Sequence, residues 1–273
     1  MILKSFLALS LLAVTPVFAG ERANIATDDA SQTAYSSGWK SGDNGGSGFG
    51  PWTLQCLAPG QSNSYAGCFI ATVDNNPDSK AIATQGKSFG MFANGTAFEA
   101  STGYRPFEKP LPVGSSFSLL MQHGDIVKKF DNDPGGGAIG ITLRTGTDSA
   151  SPEDYNKQSR FEFGYYGAKA NYQIYDGEES HDSGVAFTDG GLTITVTLVT
   201  ADTYDLEITT MADKKTTKLS GRKLGGAAGG TLDSFCIFDR NGEKFDVFFN
   251  GFQVSKEEKD AKETKGDEGH AKL

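Results

Sequence analysis

What most constrains this chain is a two-residue alternation interrupted by turn residues. From Tyr35 onward, short alternating or apolar runs are broken by Gly, Asn, Asp or Pro every ~8 to 12 residues, the spacing of a sandwich or barrel rather than of helices. In Leu192 to Val199 the residues Leu192, Ile194, Val196 and Leu198 share one face, and Thr193, Thr195 and Thr197 share the other. Tyr204, Leu206 and Ile208 alternate likewise with Asp205, Glu207 and Thr209. The short link Thr200-Ala201-Asp202 makes the two runs an antiparallel hairpin. Hairpins joined this way predict an all-β fold, a two-sheet antiparallel β-sandwich. Further strands are expected at Thr53–Cys56, Cys68–Val73, Ser88–Ala93, Ala97–Phe107, Ser116–Met121, Ala138–Arg144, Arg160–Tyr166, Asn171–Tyr175, Leu232–Asp239 and Lys244–Val254. The 35 glycines follow no triplet period, which excludes a collagen-like chain and fits turn-rich β structure.

The alternating region is flanked by two segments of different character. Lys4 precedes an apolar run from Ser5 to Val17, and Val17 and Ala19 form a small-residue cleavage pattern ahead of Gly20, so residues 1–19 read as a secretory signal peptide. No later stretch approaches the ~20 apolar residues of a spanning helix. Residues 20–254 are then expected to form one sandwich domain, secreted or periplasmic. Residues 255–273 interleave Lys with Glu and Asp, keep Leu273 as their one large apolar residue, and are expected to be a disordered tail.

A net charge of -9 repels phosphate backbones and anionic lipid, so nucleic acid is not an expected partner, whereas sugars and cations are compatible ones. Of three cysteines, the closely spaced Cys56 and Cys68 are the natural disulfide in an oxidising compartment, leaving Cys236 as a buried thiol in the apolar run Phe235 to Phe238.

The segment Ala34-Tyr35-Ser36-Ser37-Gly38-Trp39, with Ser41 to Trp52 after it, resembles the N-terminal part of secreted bacterial proteins of the concanavalin A-like lectin/glucanase superfamily. Ser88 to Asn94, Arg160-Phe161-Glu162-Phe163 and Gly184 to Leu192 extend the resemblance, which spans residues 35–254. It implies a jelly roll of two curved antiparallel sheets and a glycan ligand, with no functional residue carried over. The superfamily holds lectins, hydrolases, lyases and adhesion modules, so the fold alone does not fix the activity.

Catalytic patterns are absent from the sequence. Glucanases of this fold carry Glu-x-Asp-x-x-Glu along one strand, and no such run occurs. Asp205 with Glu207, and Glu243 with Asp246, read as solvated or hairpin-lining charges. Gln122 and His123 are adjacent, so on a strand they point to opposite faces and cannot pair as a lyase dyad; His123 and His181 read as surface or turn histidines. Asp131-Asn132-Asp133 clusters the hard oxygens that calcium selects, without EF-hand spacing, and calcium is the one cofactor the sequence suggests. Sugar rings stack on aromatic faces, which makes Trp39, Tyr104, Tyr166, Tyr172 and Tyr175 the candidate ligand contacts. If Phe161 and Phe163 face the core, Tyr166 and Glu162 face out. The expected function is noncatalytic carbohydrate binding or adhesion, with a glycan-active enzyme or a structural envelope protein as alternatives.

Overall fold

The computed structural model describes residues 22–59, 64–95, 98–126, 137–149, 155–167, 169–177, 180–241 and 246–257. The strands are β1 (Arg22–Asp28), β2 (Thr53–Leu57), β3 (Tyr65–Thr72), β4 (Lys87–Asn94), β5 (Ala100–Pro106), β6 (Ser115–His123), β7 (Ala138–Arg144), β8 (Ser159–Tyr166), β9 (Asn171–Tyr175), β10 (Ser180–Ala186), β11 (Leu192–Thr200), β12 (Thr203–Thr210), β13 (Thr216–Lys223), β14 (Ser234–Arg240) and β15 (Val247–Glu257). Short 3-10 turns occupy Thr33–Tyr35, Pro77–Ser79 and Tyr155–Gln158.

One sheet runs β13-β12-β11-β6-β15-β4-β3, with β1 also paired to β15, and the other runs β10-β9-β8-β7-β14-β5-β2. Among the described residues every ladder is antiparallel, and consecutive strands such as β14 and β15 lie in different sheets, which is a jelly-roll arrangement. The expected hairpin forms with Ile194 opposite Ile208 and Val196 opposite Leu206.

The two inner faces interdigitate around aromatic rings. Trp52 lies 5.7 Å from Phe89, 5.5 Å from Phe235 and 5.5 Å from Phe252. Leu192, Ile194, Val196 and Leu198 bury the apolar face of β11 in the same core, with Phe161, Phe163 and Tyr165 of β8 opposite.

Three strands lie outside the sequence expectation, for one physical reason. β10 and β13 are edge strands, polar on both faces and mostly exposed, so they leave no alternation to read. β1 buries only Ala26 and Asp28 well. The expected tail boundary also moves, because β15 continues through Ser255, Lys256 and Glu257 by pairing them with Asn24, Ala23 and Arg22. Backbone pairing orders these residues although their side chains are not buried in the core.

Two buried arginines tie loops to this frame. Arg105 pairs with Asp28, both side chains fully buried, and donates to Gly50 O (3.0 Å), Asn44 Oδ1 (3.0 Å) and Gly45 O (2.8 Å). Asp28 also accepts from the Tyr35 hydroxyl, which itself accepts from Trp52 Nε1 at 3.1 Å. Arg160 donates to Gly225 O, Ala201 O, Gly230 O and Ala227 O, and meets Asp202 at 3.0 Å.

Candidate functional site

The outer face of the seven-stranded sheet carries a second aromatic cluster, with Arg144 and Arg240 against it. Because side chains alternate across a strand, register alone determines which residues meet there. One row places Thr53, Tyr104, Cys236, Thr142, Glu162 and Tyr175 side by side. Four residues along, Leu57, Ala100, Arg240, Ala138 and Tyr166 form a second row. Between these lies Phe238 beside Gly140 and Gly164. A Cβ added at Gly140 would sit 2.2 Å from the carbonyl oxygen of Phe163, so the two backbones close up where the glycines pair.

The 3-10 turn beginning at Tyr155 brings that ring onto the sheet, in a cluster with Tyr104, Ala138, Cys236, Phe238 and Tyr166. Both nearby guanidiniums lie against it: Arg144 Cζ is 4.9 Å and Arg240 Cζ 4.8 Å from the Tyr155 centroid. Arg144 also covers Tyr104 at 5.4 Å, and Arg240 covers Phe238 at 4.2 Å.

Around Arg240 the face opens into two adjoining recesses. The larger, about 400 Å³, is lined by Asn156, Ser159, Glu162, Tyr166, Tyr175, Gly177 and Arg240, a volume in the range of small-molecule sites. The smaller, about 60 Å³, is lined by Gln55, Leu57, Phe98, Ala100, Thr102, Tyr104, Tyr155 and Arg240. One end is therefore polar and the other largely apolar.

The polar groups here are incompletely bonded. Arg144 is fully buried, yet among the described residues its Nε and Nη1 have no hydrogen-bond partner, and its Nη2 reaches Gln158 only at 3.3 Å. Arg240 Nε and Thr142 Oγ1 are likewise unpartnered. Among the described residues the one ion pair either arginine makes is Arg240 Nη2 with Glu162 Oε1, at 3.6 Å. Glu162 Oε1 accepts a hydrogen bond from the Tyr166 hydroxyl. Burial, reinforced by the Glu162 carboxylate, raises the pKa of both the Tyr166 and Tyr155 hydroxyls well above the usual phenol value, so both stay protonated. Burial also pushes the Cys236 thiol up to about 12, in keeping with an inert thiol.

The expected ligand contacts divide sharply. Tyr166 and Tyr175 line the larger recess, their centroids 5.1 Å apart, with Glu162 beside them on the same outward face. Tyr104 is on this face too, as buried floor beneath Arg144. Trp39 and Tyr172 are different: at 4% and 0% exposure they sit in the core between the sheets, Trp39 edge-on to Trp52 at 5.0 Å and Tyr172 stacked on Phe163 at 5.3 Å. Their rings are packing surface, unavailable to a sugar. Asp131, Asn132 and Asp133 lie outside the described residues, among which no group of three or more His, Cys, Asp or Glu is placed to hold a metal ion.

Cys56 and Cys68 come together at the edges of opposite sheets, Sγ to Sγ 3.7 Å, both as thiols. His123 is not a surface residue but is buried, with Nδ1 2.6 Å from Gly124 O and Nε2 2.8 Å from the Tyr172 hydroxyl. His181 is half-exposed and lies 3.4 Å from Asp176. Asp205 and Glu207 are engaged on the opposite sheet, with Gly221 N (2.7 Å) and Lys218 (2.7 Å). Glu243 lies outside the described residues.

The sequence reading missed Arg144, Arg240, Tyr155 and Thr142. A signal existed in the parity: Gly140, Thr142 and Arg144 share one face of an otherwise apolar strand, as do Cys236, Phe238 and Arg240.

No family model matches the chain, and no curated protein matches it. Solved structures similar to it include a carbohydrate esterase from the Shiga toxin-encoding bacteriophage phi24B, with TM-score 0.48 and 10% identity, covering 87% of this chain and 100% of that one. A legume lectin-like domain from Entamoeba histolytica gives TM-score 0.44 and 11% identity over 74% of this chain and 89% of that one. The VIP36 exoplasmic/lumenal domain in its Ca2+/Man3GlcNAc-bound form gives TM-score 0.42 and 7% identity over 74% of this chain and 82% of that one.

Proposed function

We propose that the chain is a noncatalytic carbohydrate-binding module, acting outside the cytoplasm, whose binding surface is the outer face of the seven-stranded sheet. One observation carries the reading: Arg240, whose Nε has no hydrogen-bond partner among the described residues, lines a recess walled by Tyr166 and Tyr175, with the buried, incompletely bonded Arg144 against the same Tyr155 ring. A buried polar group left unbonded costs about 1–3 kcal/mol, and folded proteins keep few of them. A ligand rich in acceptors, with C–H faces for the tyrosines, offsets that cost. Sugars combine both properties.

A hydrolase of the two-carboxylate type is a poorer fit, because among the described residues Glu162 is the one carboxylate lining the recess. Calcium at Asp131, Asn132 and Asp133 is a separable part of the proposal.

The test is a glycan and polysaccharide binding screen of residues 20–273, with and without chelator, while the same mixtures are assayed for new reducing ends. Binding without release is the expected result. Loss of binding with chelator supports calcium, and retention removes it. Reducing-end release overturns the noncatalytic reading, and silence on all glycans overturns the binding reading.

A further inference from the structure

Resting on that carbohydrate reading, we infer that the sugar taken on this face is acidic, its carboxylate received by the Arg240 guanidinium with Arg144 reinforcing the attraction. The argument is one of charge. Two guanidiniums flank the Tyr155 ring at 4.8 and 4.9 Å, and a single carboxylate, Glu162, makes a loose 3.6 Å contact with one of them. Among the described residues the cluster therefore carries a net positive charge in a largely dehydrated setting, on a chain whose overall charge is -9. Unpaired buried charge is the costliest kind of unsatisfied group. A neutral sugar could accept a hydrogen bond from these nitrogens but would leave the charge unmatched. A carboxylate supplies two acceptor oxygens and the missing charge together, the geometry a planar guanidinium fits best. Arg240 is positioned for direct contact, because its side chain is one quarter exposed and lines both recesses.

The experiment compares three probes on the intact chain: an oligogalacturonide, the same oligosaccharide with its carboxyls reduced to alcohols, and a sulfated neutral glucan. The inference predicts that the oligogalacturonide binds at least tenfold tighter than its reduced form, that affinity falls as salt rises, and that Arg240→Gln abolishes the difference. The wild-type probe comparison holds even if that variant fails to fold. Equal binding of the acidic and reduced oligosaccharides leaves the carbohydrate reading standing and overturns the acidic one. Binding of the sulfated glucan alone also overturns the carboxylate assignment. Binding of none of the three probes, while other neutral glycans bind in the wider screen, overturns it as well.

A separate observation supports a second proposal: Cys56 and Cys68 form a disulfide that staples the edge of one sheet to the edge of the other. Their sulfurs are 3.7 Å apart on β2 and β3, so bond formation needs only a side-chain adjustment toward the ~2.05 Å of a disulfide. Cys56 is the more exposed, and the hydrogen bond from Cys68 lowers its pKa to about 7. Its thiolate attacks an external disulfide, such as that of a thiol–disulfide oxidoreductase, and expels one thiolate. Cys68, deprotonated in turn, then displaces the second from the mixed disulfide; two protons and two electrons leave in all. The intact mass of secreted protein, alkylated without reduction, should show one alkylated cysteine after denaturation, with a Cys56–Cys68 cross-linked peptide on digestion. Three alkylated cysteines, or a cross-link through Cys236, would overturn it.

Discussion

Among the arginines of this sandwich, four form two contrasting pairs. Arg105 and Arg160 bind loops to the frame, each with a carboxylate and several carbonyl or amide oxygens around its fork. Arg144 and Arg240 lie on the outer face of the seven-stranded sheet with nitrogens that nothing among the described residues satisfies. Both pairs are arginines at strand positions, so residue type and burial do not separate them. Completeness of bonding does. A fully bonded buried arginine acts as a structural bracket, whereas one with idle donors beside a recess is positioned to receive something else.

The contrast is broken or sharpened first at Arg105. Arg105→Met strands the buried Asp28 carboxylate and should cost roughly 3–5 kcal/mol in denaturant unfolding. A loss below about 1 kcal/mol would erase the distinction from the stability side. His123 belongs to the satisfied class, with Nδ1 bonded to Gly124 O and Nε2 to the Tyr172 hydroxyl, and burial favours its neutral form. Burial holds its pKa down to about 4, against the raising effects of the Gly124 carbonyl, Asp125 and Asp189. A folded pKa below the unfolded one near 6.5 means this stability is fully present above that value and lost as pH falls toward 4. The loss should be on the order of 2–3 kcal/mol, read from unfolding curves across that window, and His123→Gln should flatten it.

Arg144→Met removes idle donors and keeps apolar bulk, so stability should shift by less than about 1 kcal/mol while glycan affinity falls at least tenfold. The smallest effect is expected from Tyr166→Phe, which deletes one hydrogen bond to Glu162 and keeps the ring: stability within about 1 kcal/mol and affinity within a fewfold of wild type. A Tyr166→Phe loss as large as that of Arg144→Met would mean the hydroxyl, rather than the arginines, dominates recognition.

Much of the sandwich was legible because its central strands keep a strict period of two. Leu192 to Leu198 and Tyr204 to Ile208 fall on the core side as their alternation requires, and the parity of Phe161 and Phe163 correctly turned Tyr166 and Glu162 outward. Trp39 was misread because it lies in a Gly-rich loop with no periodicity, where only the completed fold shows that the ring turns inward against Trp52 and Phe89. Tyr172 was misread because β9 places it inward, where a polar hydroxyl is tolerated through its bond with His123. Arg144 and Arg240 escaped notice at the ends of apolar runs, and their significance lies in partners they lack. No local pattern encodes an absent hydrogen bond.

The most direct test of the central claim is the affinity of the double variant Arg144→Met/Arg240→Gln for whichever glycan the wild-type chain binds, measured alongside its thermal midpoint. At an unchanged midpoint, the account predicts at least a hundredfold weaker binding, because both idle guanidiniums are gone while the core, Arg105 and Arg160 remain. Wild-type affinity in that stable variant would place the glycan elsewhere on the molecule and contradict the account.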